Sequence, residues 1–192
     1  MGRIIAGKLA SRKVEFPTGS LTRPTSDRVR EAVFGFLASH LQVTDRDPSE
    51  QLAGLRFLDL YAGSGVVGLE AASRGAQVTW VEKAPPALKT IKKNLAQLNI
   101  SGSVYGMDTE RFLAGRPEVF NIAWLDPPYE ESNEKIAAVL ELLDGRGWID
   151  CGGIFLVERS RLTSGVEFPG GFQNVTQRRY GDTTIYHGTK VG

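Results

Sequence analysis

RFLDLYAGSGVVGLEAASRGAQVTWVE, residues 56–82, reads as strand, glycine turn, helix and strand. RFLDLY (56–61) and QVTWVE (77–82) are short β-prone apolar runs, and VVGLEAASR (66–74) between them has helical composition. A connection of a dozen or more residues that contains a helix joins parallel neighbours, whereas a hairpin needs only a few residues. Gly63, Gly65 and Gly68 form G-x-G-x-x-G at the strand-to-helix turn, and Glu82 closes the second strand. Two ligand classes use this spacing. A nicotinamide dinucleotide wants the glycines for its pyrophosphate and an acid about 20 residues on for its ribose. A nucleoside sulfonium wants the same ribose acid but brings no pyrophosphate. Asp59, at the end of the first strand, suits an ammonium group and would repel a phosphate, which favours the sulfonium.

The pattern continues outward from this unit. A helix follows with Leu88, Ile91, Leu95 and Leu98 at three- and four-residue steps. SVYGM (103–107) is a short strand, TERFLAG a helical turn, and VFNIAWL (119–125) a continuous apolar strand. Ile136, Val139, Leu140 and Leu143 mark another helix, and GIFLVER (153–159) another strand. NVTQRRYGDTTIYHG (174–188) is a hairpin that turns at Gly181-Asp182. Upstream, Ser26 or Asp27 caps a helix that carries Val29, Val33, Phe36, Leu37 and Leu41, and TDRDPSEQLAG (44–54) is a loop. Such alternation implies an α/β fold with a mostly parallel sheet covered on both faces and an antiparallel edge from the hairpin. Ligands of such sheets bind outside the carboxyl ends of the strands. Asp59, Glu82, Asp108 and Asp126 are expected to finish four successive strands there.

The chain has 192 residues, one cysteine (Cys151) and two histidines. This length suits one domain with a sizeable core and needs no staples. One cysteine excludes an internal disulfide and suits a reducing compartment. No apolar run approaches the roughly 20 residues of a membrane helix, so a cytoplasmic protein is expected, with no metal site. Net charge is only +1, but it is unevenly spread. Residues 1–30 carry Arg3, Lys8, Arg12, Lys13, Arg23, Arg28 and Arg30 against Glu15 and Asp27. RIIAG and KVEFP flank GKLASR as a short hairpin, so this segment reads as a basic arm for phosphate contact. The arm (1–24) precedes the main domain (25–192); its residues 1–22 lie before every cofactor motif, and their removal is expected to leave the sheet and its ligand crevice folded. A solvated basic tail is the alternative. Trp80 and Trp124 read as core, and Cys151 as a packed thiol. His40 and His187 show no partner.

WLDPPYEES (124–132) carries the chemistry. Two prolines forbid both a helix interior and a central strand, so the segment is at least a strand-to-helix turn. With a methyl sulfonium nearby, more is implied. An exocyclic base nitrogen is a weak nucleophile because its lone pair is delocalised into the ring. Two acceptors on its N–H bonds, the Asp126 carboxyl and the Pro127 carbonyl, would draw it towards tetrahedral geometry. Tyr129 offers a face on which a flipped-out base stacks.

DPPY after a buried strand resembles the Asp/Asn-Pro-Pro-Tyr/Phe motif of amino-group methyltransferases. With LDLYAGSGVVGLEAASRGA, TRPTSDRVREAVF, RIIAG and RRYGDT, the chain resembles the RsmD family over nearly its whole length. That family methylates N2 of a guanine in bacterial 16S ribosomal RNA. The resemblance implies a Rossmann-like class I methyltransferase with a seven-stranded sheet and an N-terminal β-hairpin extension. It also implies S-adenosylmethionine as cofactor, a ribosomal small-subunit or assembly-intermediate substrate, and action as a monomer. Cofactor contacts would fall on Asp59, Tyr61, Gly63, Ser64, Gly65, Glu82 and Asp108, with Thr25 closing over the methionine end. Asp126, Pro127 and Tyr129 would form the base pocket. Arg3, Lys8, Arg12, Lys13, Arg23, Arg28, Arg178 and Tyr180 would meet RNA. The diproline at 85–86 falls outside the resemblance. A DNA or RNA adenine or cytosine methyltransferase shares DPPY, a nicotinamide oxidoreductase shares the glycine turn, and a non-catalytic RNA-binding protein shares the basic arm.

Overall fold

The structure is a computed structural model that describes residues 2–17, 25–162 and 165–192. Arg23, expected at the RNA face, lies outside the described residues. β1 (Gly2–Arg3) pairs antiparallel with β2 (Lys13–Val14), forming the expected small hairpin. α1 (Asp27–His40) starts at Ser26, whose hydroxyl accepts from the Val29 N–H at 3.3 Å. The alternating units are β3 (Arg56–Leu60), α2 (Val66–Ser73), β4 (Gln77–Val81), α3 (Pro85–Leu98), β5 (Ser103–Tyr105) and α4 (Thr109–Leu113). They continue with β6 (Phe120–Leu125), α5 (Asn133–Gly145) and β7 (Ile149–Ser160), then the hairpin β8 (Phe172–Tyr180) and β9 (Thr183–Lys190). Pro85 and Pro86 occupy the first turn of α3, where a missing N–H costs no helical bond.

The seven strands lie in the order β5-β4-β3-β6-β7-β9-β8. β3 to β7 run parallel, and β9 enters antiparallel between β7 and β8. The chain begins in mid-sheet at β3, winds outward to β5, then returns to β6 on the other side of β3. This reversal opens a crevice between the turns that follow β3 and β6. Those turns are the glycine loop and DPPY, so topology alone brings the two motifs together.

Strand alternation divides the core. Phe57, Trp80, Trp124, Ile154 and Leu156 face α1, α2 and α3, while Leu58, Leu60, Leu125, Phe155 and Val157 face α4 and α5. Trp80 and Trp124 are 0% and 1% exposed, as expected of core residues. His187 finds Thr176 as a hydrogen-bond partner. Cys151 does not pack. It is exposed, because strand β7 begins before the apolar run and carries it at the uncovered end. Among the described residues no helix is long and apolar enough to cross a membrane.

The basic arm is built into the body. Ile4 and Val14 are fully buried in the same cluster as α1 and α2. Glu70 of α2, itself 0% exposed, accepts from the Ile5 N–H at 2.7 Å and the Ala6 N–H at 3.0 Å. It also pairs with Arg74 at 3.2 Å and lies 3.7 Å from buried Arg30 of α1. Asn94 of α3 exchanges two hydrogen bonds with the Glu15 backbone, both at 3.0 Å. Removing residues 1–22 would therefore strip partners from a buried carboxylate and open the core, contrary to the expectation that the sheet would not notice. Arg3, Lys8, Arg12 and Lys13 nevertheless remain exposed on its outer side.

Glu70→Ala tests this anchoring. It removes the carboxylate that pairs with Arg74, leaves Arg30 with Asp27, and leaves two arm N–H groups without this acceptor. We expect a loss of about 3–5 kcal/mol in urea unfolding, the range for breaking one side of a buried charge network. A loss below about 1 kcal/mol would mean that the arm is not fastened through Glu70.

Candidate active site

The glycine loop is shaped by backbone conformation. Tyr61, Gly63 and Gly65 all have positive φ, at 58°, 55° and 76°. Glycine adopts this region at little cost, whereas a tyrosine there is held by its surroundings. The Tyr61 side chain packs into the cluster with α4 and α5, where burial raises its phenol pKa. At Gly63 a Cβ would meet nothing nearer than the Tyr61 carbonyl at 4.0 Å, so this side of the loop is open. At Gly68 a Cβ would sit 2.2 Å from Trp80 Nε1, so the third glycine serves close helix–strand packing.

The strand-end acids divide into three kinds. Glu82, just beyond β4, accepts from the Gly63 and Ala84 N–H groups, each at 2.7 Å. Its remaining lone pairs are available to hydroxyl donors above the loop. Asp108 precedes α4, is exposed, and lies 3.5 Å from Lys83 Nζ across the far end of the crevice. Asp59 differs from expectation. It is the penultimate residue of β3, 1% exposed, and its Oδ2 accepts from the Gly68 N–H at 2.9 Å. Gly65 at the start of α2 has no side chain to cap the helix, so Asp59 supplies a cap from the neighbouring strand. It lies buried beneath the loop, with Oδ2 engaged by the helix. Burial raises its pKa well above the usual carboxylate range.

Asp126 follows β6, and its N–H donates to the Leu60 carbonyl at 3.3 Å, which ties DPPY to the end of β3. Its Oδ2 lies 3.3 Å from the Thr25 hydroxyl. The same hydroxyl lies 3.0 Å from Glu158 Oε2, on the adjacent strand β7. Thr25, expected over the methionine end of a cofactor, thus bridges two carboxyls. Burial chiefly, and then the neighbouring Glu158 charge, raises the Asp126 pKa well above the usual value. Burial also pushes Glu158 up to about 7.

Arg159, 1% exposed on the opposite face of β7, reaches under the loop that follows. It donates to the carbonyls of Pro128 at 3.2 Å and Glu131 at 2.7 Å. Pro127 is buried and Tyr129 is 46% exposed. Arg159 and Glu158 both escaped the sequence reading. The signal available was a charged pair ending the otherwise apolar GIFLVER, where alternation points one residue to each face.

Other expected residues are placed as follows. Ser64 is buried, and its carbonyl accepts from Asn94 Nδ2 at 3.3 Å. Arg28 is exposed on the first turn of α1, beside Thr25. Arg3 lies 3.5 Å from Asp27 and, with Lys13, lines an open groove between the hairpin and α1. Lys8 and Arg12 are exposed on the same hairpin. The β8–β9 turn lies at the same sheet end as Asp126, because Tyr180 pairs with Thr183 and Thr183 with Ser160. Tyr180 is partly buried against α1, and the Arg178 guanidinium lies over the Phe36 ring at 5.8 Å, so Arg178 supports α1 while remaining exposed.

The donor set around the crevice is acidic: Glu82, Asp108 and Asp126, with Asp59 beneath. It fits a cationic, hydroxyl-bearing nucleoside such as S-adenosylmethionine and disfavours a pyrophosphate. Among the described residues no three of His, Cys, Asp and Glu converge as a metal-ligating set.

Comparison with known proteins agrees. The family described as Conserved hypothetical protein 95 matches residues 2–188. The Bacillus subtilis protein named "Putative rRNA methyltransferase YlbH" is 33% identical over 189 residues, covering 95% of this chain and 96% of that one. Ribosomal RNA small subunit methyltransferase D of Escherichia coli K12 is 34% identical over 158 residues, 81% of this chain and 73% of its own. Among solved structures, the Thermus thermophilus 16S rRNA N2 G1207 methyltransferase (RsmC), in complex with AdoMet and guanosine, shares the fold. Its TM-score is 0.69 at 19% identity, over 98% of this chain and 49% of that one. A glycine loop and a DPPY turn meeting at the switch point of the β5-β4-β3-β6-β7-β9-β8 sheet, together with these likenesses, make the chain a member of the RsmD-like family of S-adenosylmethionine-dependent methyltransferases.

Proposed function

We propose that this protein transfers a methyl group from S-adenosylmethionine to the exocyclic N2 of a guanine in 16S ribosomal RNA. The observation that carries this reading is Asp126-Pro127-Pro128-Tyr129, braced by Arg159 at the switch point beside the glycine loop. Relatives named as small-subunit rRNA methyltransferases support the substrate class. When bound, S-adenosylmethionine supplies a methyl group made electrophilic by its positively charged sulfur.

The chain's own residues do the rest. Glu82 would hold the ribose hydroxyls, and it also fastens the glycine loop; Asp108 would accept from the adenine. Thr25 occupies one oxygen of Asp126, leaving the other to accept an N–H of the target amine. Pro127 contributes its carbonyl, aimed by a fixed φ and a buried ring. Tyr129 presents its exposed ring to the extruded base. After transfer the nitrogen carries one proton too many, and Asp126 is placed to accept it. This is positioning and preorganised electrostatics.

The exposed cations of the arm, with Arg28 beside the site, would follow the RNA backbone. The unit of action we propose is a monomer. A ribosomal substrate, in the small subunit or an assembly intermediate, implies the cytoplasm. A nicotinamide oxidoreductase would leave DPPY idle and set its pyrophosphate among acids.

Asp126→Ala should cut single-turnover methyl transfer into unmodified small subunits by roughly 10² or more, as with loss of an oxyanion donor. S-adenosylmethionine affinity by calorimetry should change little, since Glu82 and the glycine loop remain. Near-normal turnover would remove Asp126 from the chemistry.

The arm is tested by charge and not by truncation. Replacing Arg3, Lys8, Arg12 and Lys13 together by Gln should leave the fold and cofactor affinity intact. The logarithmic salt slope of RNA binding should flatten by about 0.7–0.9 for each phosphate that is no longer neutralised, up to about 3 in all. An unchanged slope would leave the arm as a solvated structural hairpin.

A further inference from the structure

Thr25 Oγ1 stands 3.3 Å from Asp126 Oδ2 and 3.0 Å from Glu158 Oε2. A hydroxyl has one proton to donate, so it satisfies only one of two ionised carboxyls. The other must itself be protonated and donate to the hydroxyl oxygen, or two anions face each other in a buried site.

Depth separates the two acids. Glu158 is the deeper group, 4% exposed, while Asp126 lies at the crevice with partial exposure. Burial and the Glu158 charge raise Asp126, and Arg159 opposes that rise; with Glu158 neutral, the contribution of its charge falls away. Glu158 Oε1 accepts from the Thr183 hydroxyl at 3.4 Å, and its Oε2 lies 3.0 Å from the Thr25 hydroxyl, a contact that a neutral carboxyl can make as the donor.

We propose that Glu158 is a positioning residue for methyl transfer: as a neutral acid it donates to Thr25, and Thr25 donates to Asp126. The arrangement keeps Asp126 ionised, fixes the rotation of its carboxyl, and turns its other oxygen towards the substrate amine. It rests on the methyltransferase reading of the site. Burial already places Glu158 near a pKa of about 7, so it holds its proton where an ordinary glutamate does not.

Other charged and titratable groups surround the pair. Asp59 of β3 faces Asp126 on the same side of the sheet, and Arg159 lies on the reverse side. Arg178 and Tyr180 of β8 lie across β9 towards α1, and Asp27, Arg28 and Arg30 are on the first turn of α1. Arg30 is engaged with Asp27 at 2.6 Å and with the Arg3 carbonyl at 3.0 Å.

The sign of the pH effect follows. The folded-state pKa of Glu158 lies above its unfolded value, so the folded protein binds the extra proton between them. That contribution to stability is present below the unfolded pKa and is lost as pH rises through about 7. Turnover should fall over the same upper range, because an ionised Glu158 competes with Asp126 for the Thr25 proton.

Glu158→Gln and Glu158→Leu test the proposal in the full chain. A glutamine amide donates to Thr25 and accepts from Thr183, as the neutral acid does. Glu158→Gln should keep turnover at pH 7 within about threefold and lose the decline seen above it in the unaltered protein. Glu158→Leu, with no donor, should lose about tenfold or more in turnover at unchanged cofactor affinity. ¹³C-carboxyl NMR of glutamate-labelled protein should show one neutral glutamate at pH 6 that titrates near 7 and is missing from Glu158→Gln. A glutamine variant as inactive as the leucine variant, or a pH profile identical to that of the unaltered protein, would overturn the role. Titration of every glutamate below pH 5 would overturn the proton assignment while leaving the methyltransferase reading untouched. No methyl transfer by the unaltered protein, with the titration present, would overturn that reading and the positioning role with it.

Discussion

Asp59, Asp126 and Glu158 lie on one face of the sheet, near the carboxyl ends of three adjacent strands; Asp59 and Glu158 are buried and Asp126 is partly exposed at the crevice. Two devices satisfy the three acids. Asp59 caps α2 through the Gly68 N–H, and Asp126 and Glu158 share the Thr25 hydroxyl. Unpaired charges in such a setting would cost far more than any surface interaction returns. Arg159 lies behind them on the other face and binds the backbone that carries DPPY. Removing any of these partners exposes the others to an uncompensated charge, so the site behaves as one unit.

This constraint reaches the N-terminus. Thr25 is placed by the start of α1, and α1 is held through Arg30, which meets Asp27, the Arg3 carbonyl and the region of Glu70. Glu70 in turn holds the backbone of the arm at Ile5 and Ala6. A continuous run of contacts therefore links the docked basic hairpin to the hydroxyl that orients Asp126. The outer side of that hairpin carries the exposed cations, and its inner side is core. The phosphate contact we propose and the geometry of the site would thus rest on the same short segment.

Much of this was legible in the sequence because periodicity and turn chemistry report local facts. The strand–helix alternation, the glycine loop, the β8–β9 hairpin and the burial of Trp80 and Trp124 all follow from spacing within a few residues. Asp126 was legible because two prolines directly after an apolar strand end the strand abruptly and fix the backbone beside the carboxyl. What escaped depends on partners distant in the chain. Asp59 looked like a ligand residue because its place at a strand end was readable, while its bond to Gly68 was not. Glu158 and Arg159 looked like the polar end of a strand until pairing set Glu158 beside Asp126 and Arg159 beneath Pro128. Glu70 sat unremarked inside a helix, because its partners lie 64 and 65 residues earlier. The Cys151 environment was missed for a simpler reason, since β7 begins several residues before its apolar run.

We propose that Asp126 and its braced turn act on the amino group of a guanine in small-subunit RNA. The most direct measurement uses S-adenosylmethionine with an isotopically labelled methyl group and unmodified small ribosomal subunits. The RNA is then digested and its labelled nucleosides identified by mass spectrometry. The account predicts label in N2-methylguanosine from the 16S RNA and in no adenosine or cytidine product. Label in N6-methyladenosine or N4-methylcytidine, or no label at all, would contradict it.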